Sequence, residues 1–345
     1  MAGLVSGPAH ENCNVKATYL AWQAARQRRL GHYDRKMLAA AAAAWRLAPS
    51  TERLLSYALL RRDMGLPLPS RWVEQLRAGL GRLRSTRRRL ALGLLAEHGV
   101  HALDGLPKDW LQDASNYLPA LAEYGTGTLQ QLLLQRLHSK QAEWRQQFAA
   151  WLAECSLNGP IAIVGNAATL EGAGLGSAIE ACSAVVRFNR CGAGADFAAD
   201  VGSRTDVWVV SPAYRGPIPA GIRWILLTGP DMRYRLQDWS TVIPLLAADR
   251  PVLTFPLDIW RQLVSRLQAP PSAGMLTLAW LLQLLPDAWS SLRVAGIGTG
   301  LNVAGRYHRT DKPQSPASRH NWIAEQSIIT DWARQGLVRL DLPHG

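Results

Sequence analysis

The sequence predicts an α/β fold with a separate all-helical region ahead of it, on three observations. Ile161-Ala162-Ile163-Val164 is a short apolar run ended by Gly165-Asn166, which reads as a buried strand entering a loop. After a loop of small residues and a short helix, Ser177 to Cys182, a second such run, Ala184 to Phe188, stops at Asn189. From Lys16 to about Glu154, by contrast, helical spacing dominates and strand-like runs are missing.

The helical region opens the chain. Ala39 to Ala44 is an unbroken alanine run, the strongest helix former, and it ends near Pro49. Ser50-Thr51-Glu52 starts the next helix, with Leu54, Leu55 and Leu59 on one face. Gly31, Tyr33, the alanine run and Leu47-Ala48-Pro49 resemble a tetratricopeptide hairpin, but no second copy follows at fixed period. Asn158-Gly159-Pro160 marks the turn between the halves, so residues 1–157 are expected to form a basic all-α region and 158–345 an α/β domain.

Charge is concentrated in the first half. Residues 1–155 carry 21 Lys and Arg against 12 Asp and Glu, while residues 156–345 carry 17 against 14. Seven arginines lie between Arg71 and Arg89, where Val73, Leu76, Leu80 and Leu83 fall at helical spacing, so the stretch reads as one basic amphipathic helix. That helix suits a solvated face or contact with an anionic surface such as a membrane or a phosphorylated glycolipid. No nucleic-acid signature accompanies the arginines, and no nucleic-acid partner is expected.

Exclusions narrow the rest. The start MAGLVSGPAHENC has neither the basic end nor the apolar core of a secretory signal, and no apolar run is long enough for a bilayer span. The four cysteines show no CxxC spacing. Neither HExxH nor a DxD pair occurs, so no catalytic metal and no resident cofactor are expected. The expected address is the cytoplasm, with peripheral contact at the inner membrane.

Beyond the opening stretch, Val207 to Val210, Arg223 to Thr228, Val252 to Phe255 and Leu292 to Ala295 read as strands, and Leu337 to Leu340 as the last. Helices are expected at Leu257 to Leu267, Met275 to Leu285 and His320 to Arg334. Asn166 and Asn189 stand just past two neighbouring strand ends, the edge where open α/β sheets bind ligands, and an amide can donate and accept at once. Pro270-Pro271-Ser272-Ala273-Gly274 opens a helix: Ser272 can cap it, and Gly274 lets a ligand approach its free N–H groups. Gly172, Gly174 and Gly176 lie too far past the strand end for a dinucleotide fingerprint, yet keep an NAD(P)-dependent oxidoreductase, or a non-catalytic nucleotide-binding module, as alternative readings.

The order of these motifs resembles the sialyltransferases of glycosyltransferase family 29. The large motif looks like IAIVGNAATLEGAGLGSAIEACSAVVRFNRC…ADVGSRTD, Ile161 to Asp206, and the small motif like PPSAGMLTLAWLLQLL…VAGIG, Pro270 to Gly298. Tyr307-His308 is similar to the third motif, and His320 to Glu325 to the very small His-x4-Glu motif. The resemblance implies a Rossmann-like GT-A variant sheet and inversion at the anomeric carbon without a metal. It places the cytidine nucleotide against Asn166 and Asn189, with Gly165 supporting, and its ribose and phosphate at Ser272 and Gly274. It makes His320 the general base and His308, beside Tyr307, the donor to the leaving phosphate; Glu325 either orients His320 or stabilises the fold. The implied partners are a CMP-activated 2-ulosonic acid, sialic acid or Kdo, and an anionic saccharide or glycolipid acceptor such as lipopolysaccharide. Animal members join the large and small motifs by a disulfide; here Ile161 stands where the first Cys is expected, which fits a bacterial-type enzyme.

Overall fold

A computed structural model describes residues 8–190, 197–298 and 319–341. Its first half is helical: α1 (Pro8–Arg29), α2 (Arg35–Leu47), α3 (Thr51–Asp63), α4 (Ser70–Gly79), α5 (Ser85–Glu97), α6 (Lys108–Ser115), α7 (Leu129–Ser139) and α8 (Gln141–Asn158). The helix starts follow local chemistry. Asp34 caps α2 through Met37 N, Ser50 caps α3 through Arg53 N, and Thr128 with Gln131 forms a reciprocal capping box on α7.

The single basic helix expected from Arg71 to Arg89 is corrected. The chain makes α4, a 3₁₀ turn at Leu80–Arg82, and then α5. Gly79 and Gly81, poor helix formers, stand at the break. Leu76, Leu80 and Leu83 are nevertheless all buried, in one apolar cluster with Leu55 and Leu92. Several of the arginines are held within the fold: Arg87 by Glu52, Arg89 by Asp113 and the Tyr117 ring, and Arg88 over the Trp110 ring.

From Ile161 strands and helices alternate: β1 (Ile161–Val164), α9 (Gly176–Glu180), β2 (Ala184–Phe188), α10 (Ala198–Val201), β3 (Val207–Val210), β4 (Trp224–Leu227), α11 (Ile243–Ala247), β5 (Val252–Thr254), α12 (Leu257–Leu267), α13 (Ala273–Leu284), β6 (Leu292–Ala295), α14 (Trp322–Arg334) and β7 (Val338–Arg339). Among the described residues the strands form one sheet in the order β5-β4-β3-β2-β1-β6-β7, with every pairing parallel. Such a sheet is covered on both faces, which explains why the central strands are continuous apolar runs rather than alternating ones. Along β1 the two faces separate. Ile161 and Ile163 enter a cluster with Phe148 and Trp280, while Ala162 and Val164 meet Leu170 and Ile179 on the other side.

The helices and the sheet share a core. Ala24 and Met37 from α1 and α2, and Phe148 and Trp151 from α8, belong to the same apolar cluster as β3, β4, α12 and α13. Phe148 is its hub, with ring centroids 5.4 Å from Trp224 and 5.5 Å from Trp280. A second tie is ionic. Asp63, at the end of α3, is fully buried and receives Arg28 of α1 at 3.3 Å and Arg235, beyond β4, at 2.8 Å. Burial alone would raise its pKa, but Arg235, Arg28 and Arg62 together hold it below the usual carboxylate value. No helix among the described residues is long and apolar enough to cross a membrane.

Because Phe148 joins both halves, Phe148→Ala should cost about 3–5 kcal/mol of stability. In urea, far-UV circular dichroism and tryptophan fluorescence should still report one coincident transition. Separate transitions for helix and sheet would contradict a shared core.

Candidate active site

The strand order reverses between β1 and β6, and open α/β sheets bind ligands at that switch point, beyond the carboxyl ends of the strands. Here the two strand ends are pressed together: Gly165 N donates to Ala295 O at 2.8 Å, and a Cβ on Gly165 would collide with the Gly296 carbonyl. Only glycine permits that approach. The crevice so formed opens into a cleft of about 1600 Å³, floored by the strand ends and walled by the start of α13, by the segment before α14, and by α1, α2, α3 and α5.

Most of the site residues expected from sequence lie on this cleft. Gly165, Asn166, Asn189, Ser272, Gly274 and His320 line it. Asn166 donates through Nδ2 to Phe188 O at 3.2 Å, bridging the ends of β1 and β2. Asn189 has φ +48°, a left-handed conformation that Asn tolerates better than most residues. Its Oδ1 accepts from Ser211 N at 2.9 Å and its backbone carbonyl from Trp208 Nε1 at 2.8 Å, and Nδ2 has no partner among the described residues. Tyr307 and His308 lie outside the described residues.

Ser272 caps α13 by accepting from Met275 N at 3.2 Å, and its hydroxyl donates to Glu325 Oε2 at 2.6 Å. The next backbone groups, at Ala273 and Gly274, are the free N–H donors of a helix start and suit an anion. Gly274 packs against the Ile297 side chain, so any larger residue would push into that contact. The Ser272 hydroxyl is thus committed to Met275 N and Glu325, and the donors left at this helix start are backbone N–H groups.

His320 sits before a helix rather than in one. The helix expected from His320 begins at Trp322, because Asn321 takes the cap and accepts from Ala324 N at 3.2 Å. His320 Nδ1 lies 2.8 Å from Pro270 O, an acceptor only, so Nδ1 carries the proton and Nε2 keeps its lone pair. Arg319 Nε approaches that lone pair at 3.4 Å, a long contact, and the Trp322 ring packs edge-on at 5.1 Å. Burial pushes the imidazole pKa below its ordinary value; the Pro270 carbonyl opposes this and the neighbouring Arg319 adds to it. The imidazole is therefore neutral at pH 7.

Glu325 does not orient His320 by any direct bond among the described contacts. Its carboxylate is fully buried and accepts both the backbone N–H of Ser272, at 2.7 Å, and its hydroxyl. Burial raises its pKa to about 7, with the two Ser272 hydrogen bonds pulling the other way. Of the alternatives left open by the sequence, the stabilising one matches this geometry.

The glycine loop after β1 does other work. Gly172 N and Gly174 N donate to the Asp200 carboxylate at 2.8 and 2.9 Å, and neither glycine lines the cleft. Donors already committed to a carboxylate cannot cradle a pyrophosphate, which removes the support for a dinucleotide site. Sequence reasoning missed the arginines that face the cleft, among them Arg28, Arg53, Arg87 and Arg235. The arginine excess was visible in the composition, but which ones converge depends on how the helices pack.

The described residues thus form a parallel sheet with a cleft at its switch point, a helix start with free backbone N–H groups and a half-buried histidine, an arrangement in which open α/β sheets bind ligands. Residues 113–219, from within α6 to beyond β3, match the family model described as glycosyltransferase family 29 (sialyltransferase). Among solved structures the chain is similar to a mammalian sialyltransferase in complex with Gal-beta-1-3GalNAc-ortho-nitrophenol, at 18% identity and TM-score 0.38. It is also similar to another structure described as a mammalian sialyltransferase, at 20% identity and TM-score 0.39. Each similarity spans 52% of this chain and 67% of the other, and likeness at this level decides nothing by itself. No curated protein sequence matches.

The pKa of Glu325 has a consequence for stability. A carboxyl whose folded pKa is raised contributes stability that is complete below its unfolded value, 4.5, and is lost as pH rises through about 7. Between those limits the loss from this one group is roughly 3 kcal/mol. The difference in unfolding free energy between wild type and Glu325→Gln, followed from pH 4.5 to 8, should therefore shift against wild type as pH rises. A difference independent of pH would contradict a buried, uncompensated carboxyl.

Proposed function

We propose that this protein is a bacterial-type, inverting, metal-independent glycosyltransferase. It moves a 2-ulosonic acid, sialic acid or Kdo, from its CMP-activated donor to a saccharide hydroxyl on a lipid-linked or lipopolysaccharide acceptor. The observation that carries the reading is His320, which lines the switch-point cleft and is held in one tautomer by Pro270 O, in a chain whose residues 113–219 match the sialyltransferase family model.

In this reaction the acceptor hydroxyl gives its proton to His320 Nε2 as its oxygen forms a bond to the anomeric carbon. The bond from that carbon to the phosphate oxygen breaks, and CMP leaves with the electron pair. The N–H groups at the start of α13 face the charge that grows on the phosphate, and His308 is assigned as a further donor to it. The Asn189 amide, with Asn166 beside it, holds the nucleotide. Arginines on the cleft wall suit a donor that carries both a phosphate and a carboxylate.

We propose for the protein a cytoplasmic address with peripheral contact at the inner membrane; the exposure of Arg82 and Arg84 on the basic segment supports it. If so, it should co-sediment with acidic vesicles and not with neutral ones, and salt should abolish the difference. Equal binding to both would end the membrane assignment.

Calorimetry should show CMP binding, with NAD at least about tenfold weaker. His320→Ala should lower kcat by roughly 10²–10⁴ on a saccharide acceptor while the Kd for CMP stays near the wild-type value. No CMP binding to folded protein, or near-normal turnover without His320, would sink the assignment.

A further inference from the structure

Two arginines on the cleft wall come together on one carboxylate. Arg28, in the last turn of α1, donates to Asp63 Oδ2 at 3.3 Å, and Arg235, beyond β4, donates to both Asp63 oxygens at 2.8 Å. The two guanidiniums therefore share Oδ2, although one comes from the helical half and the other from the loop after β4. Both line the cleft, whereas Asp63 is fully buried and does not. Behind them Arg62 donates to Glu97 at 2.6 and 2.7 Å and to Pro230 O at 3.2 Å. Neither Arg62 nor Glu97 lines the cleft.

Charge in this cluster does not balance. Three guanidiniums, Arg28, Arg62 and Arg235, meet two carboxylates, Asp63 and Glu97. Arg62 and Glu97 pair at the rear, so two arginines share one carboxylate at the cleft and a positive charge is left in excess there. Among the described residues no Asp, Glu or Lys lines the cleft to alter that sign. Donors are left as well. Arg28 uses Nη2 on Asp63 and meets Tyr33, and Arg235 uses Nη1 alone among the described contacts, while a guanidinium carries five N–H groups. Their side chains are 32% and 21% exposed, open enough to reach a ligand and shielded enough to strengthen its attraction.

The pair is also fixed relative to His320. Just past Arg28, Gly31 presses on the Arg319 backbone, where a Cβ would collide. Trp260 Nε1 of α12 donates to Asp63 O at 3.2 Å, and α12 leads into the segment whose Leu267 and Pro270 carbonyls anchor Asn321 and His320.

We infer that Arg28 and Arg235 form the carboxylate-binding pair of the donor site, holding the acid group that a 2-ulosonic acid carries on its anomeric carbon. The inference rests on the transferase reading and adds to it the residues that select the donor. That acid group is one bond from the carbon that the acceptor oxygen attacks, so it lies close to the base. The phosphate, bonded to the same carbon, goes to the start of α13. Guanidinium forks bind a carboxylate through paired N–H donors. With the acid group and the phosphate both held, the anomeric carbon is fixed by two of its substituents, which is the orientation that speeds an in-line displacement. A nucleotide sugar without the acid group leaves the pair unfilled. Selection of the donor thus falls to one residue of the helical half and one outside the large and small motifs.

The test uses the full chain in calorimetry with CMP, CMP-sialic acid, CMP-Kdo and the methyl esters of the two donors, in which the carboxylate is neutralised. At least one acid should bind about tenfold or more tightly than its ester. In Arg28→Gln and in Arg235→Gln that ratio of acid to ester should fall toward one, with Arg28→Lys in between, while the Kd for CMP stays unchanged. Unchanged CMP binding also reports that the variants fold. A role confined to packing would weaken acid and ester alike and leave the ratio intact. Equal binding of acid and ester to wild type needs no variant and overturns the pair. So does a ratio that both Gln variants keep, or a loss of CMP affinity as large as the loss for the donor in a variant with wild-type circular dichroism. Each of these leaves the transferase reading standing. Folded wild type that binds neither CMP nor either donor is a different result: it overturns the transferase reading and the inference with it.

Discussion

The site depends on how the segment 319–325 is fastened to the segment 267–272. Glu325 takes both hydrogen-bond donors of Ser272, His320 Nδ1 meets Pro270 O, and Asn321 Nδ2 donates to Leu267 O at 3.0 Å. Three successive side-chain anchors set where α14 begins, and therefore where the imidazole stands. The same contacts set where α13 begins, since Ser272 is its cap. His320 and the start of α13 thus belong to one clasp and cannot shift independently.

The clasp is costly in isolation. A carboxyl buried without a cation is disfavoured as an anion, and its raised pKa records that penalty. It persists because the alternative is worse: without it, the Ser272 N–H would be buried without a partner. The Asp63 cluster solves a similar problem in the opposite way, by surrounding the carboxylate with arginines until its pKa falls. One buried acid is held by the neutral donors of Ser272, on the cleft wall; the other is held by charge where the helices meet the sheet.

Much of this was legible in the sequence because it is local. Apolar runs ended by glycine, asparagine or, after β3, Ser211-Pro212 mark β1, β2, β3 and β6 to the residue, and α12 from Leu257 to Leu267 is marked likewise. Period and punctuation fix such elements before any packing is considered. What misled was the stretch Arg71 to Arg89, where apolar spacing continues smoothly across Gly79 and Gly81 while the backbone does not. The start of α14 was misplaced for a related reason, since a histidine and an asparagine in sequence do not announce which one takes the cap. The shared core and the arginine wall were illegible because they are long-range. Nothing in the order of residues says that Gly31 will touch Arg319, or that Arg28 and Arg235 will meet on Asp63.

The position of Gly31 bears on how this architecture can be rearranged. A turn that presses backbone to backbone against the residue before His320 acts as a doorstop for that loop. Trimming the chain back to its sheet would remove the doorstop and bare the apolar surface around Trp224 and Trp280 that Phe148 now covers. A graft of the helices onto another sheet would likewise carry their arginines without the loop that gives them something to face. The two halves can drift in sequence, but in space they can only be exchanged together.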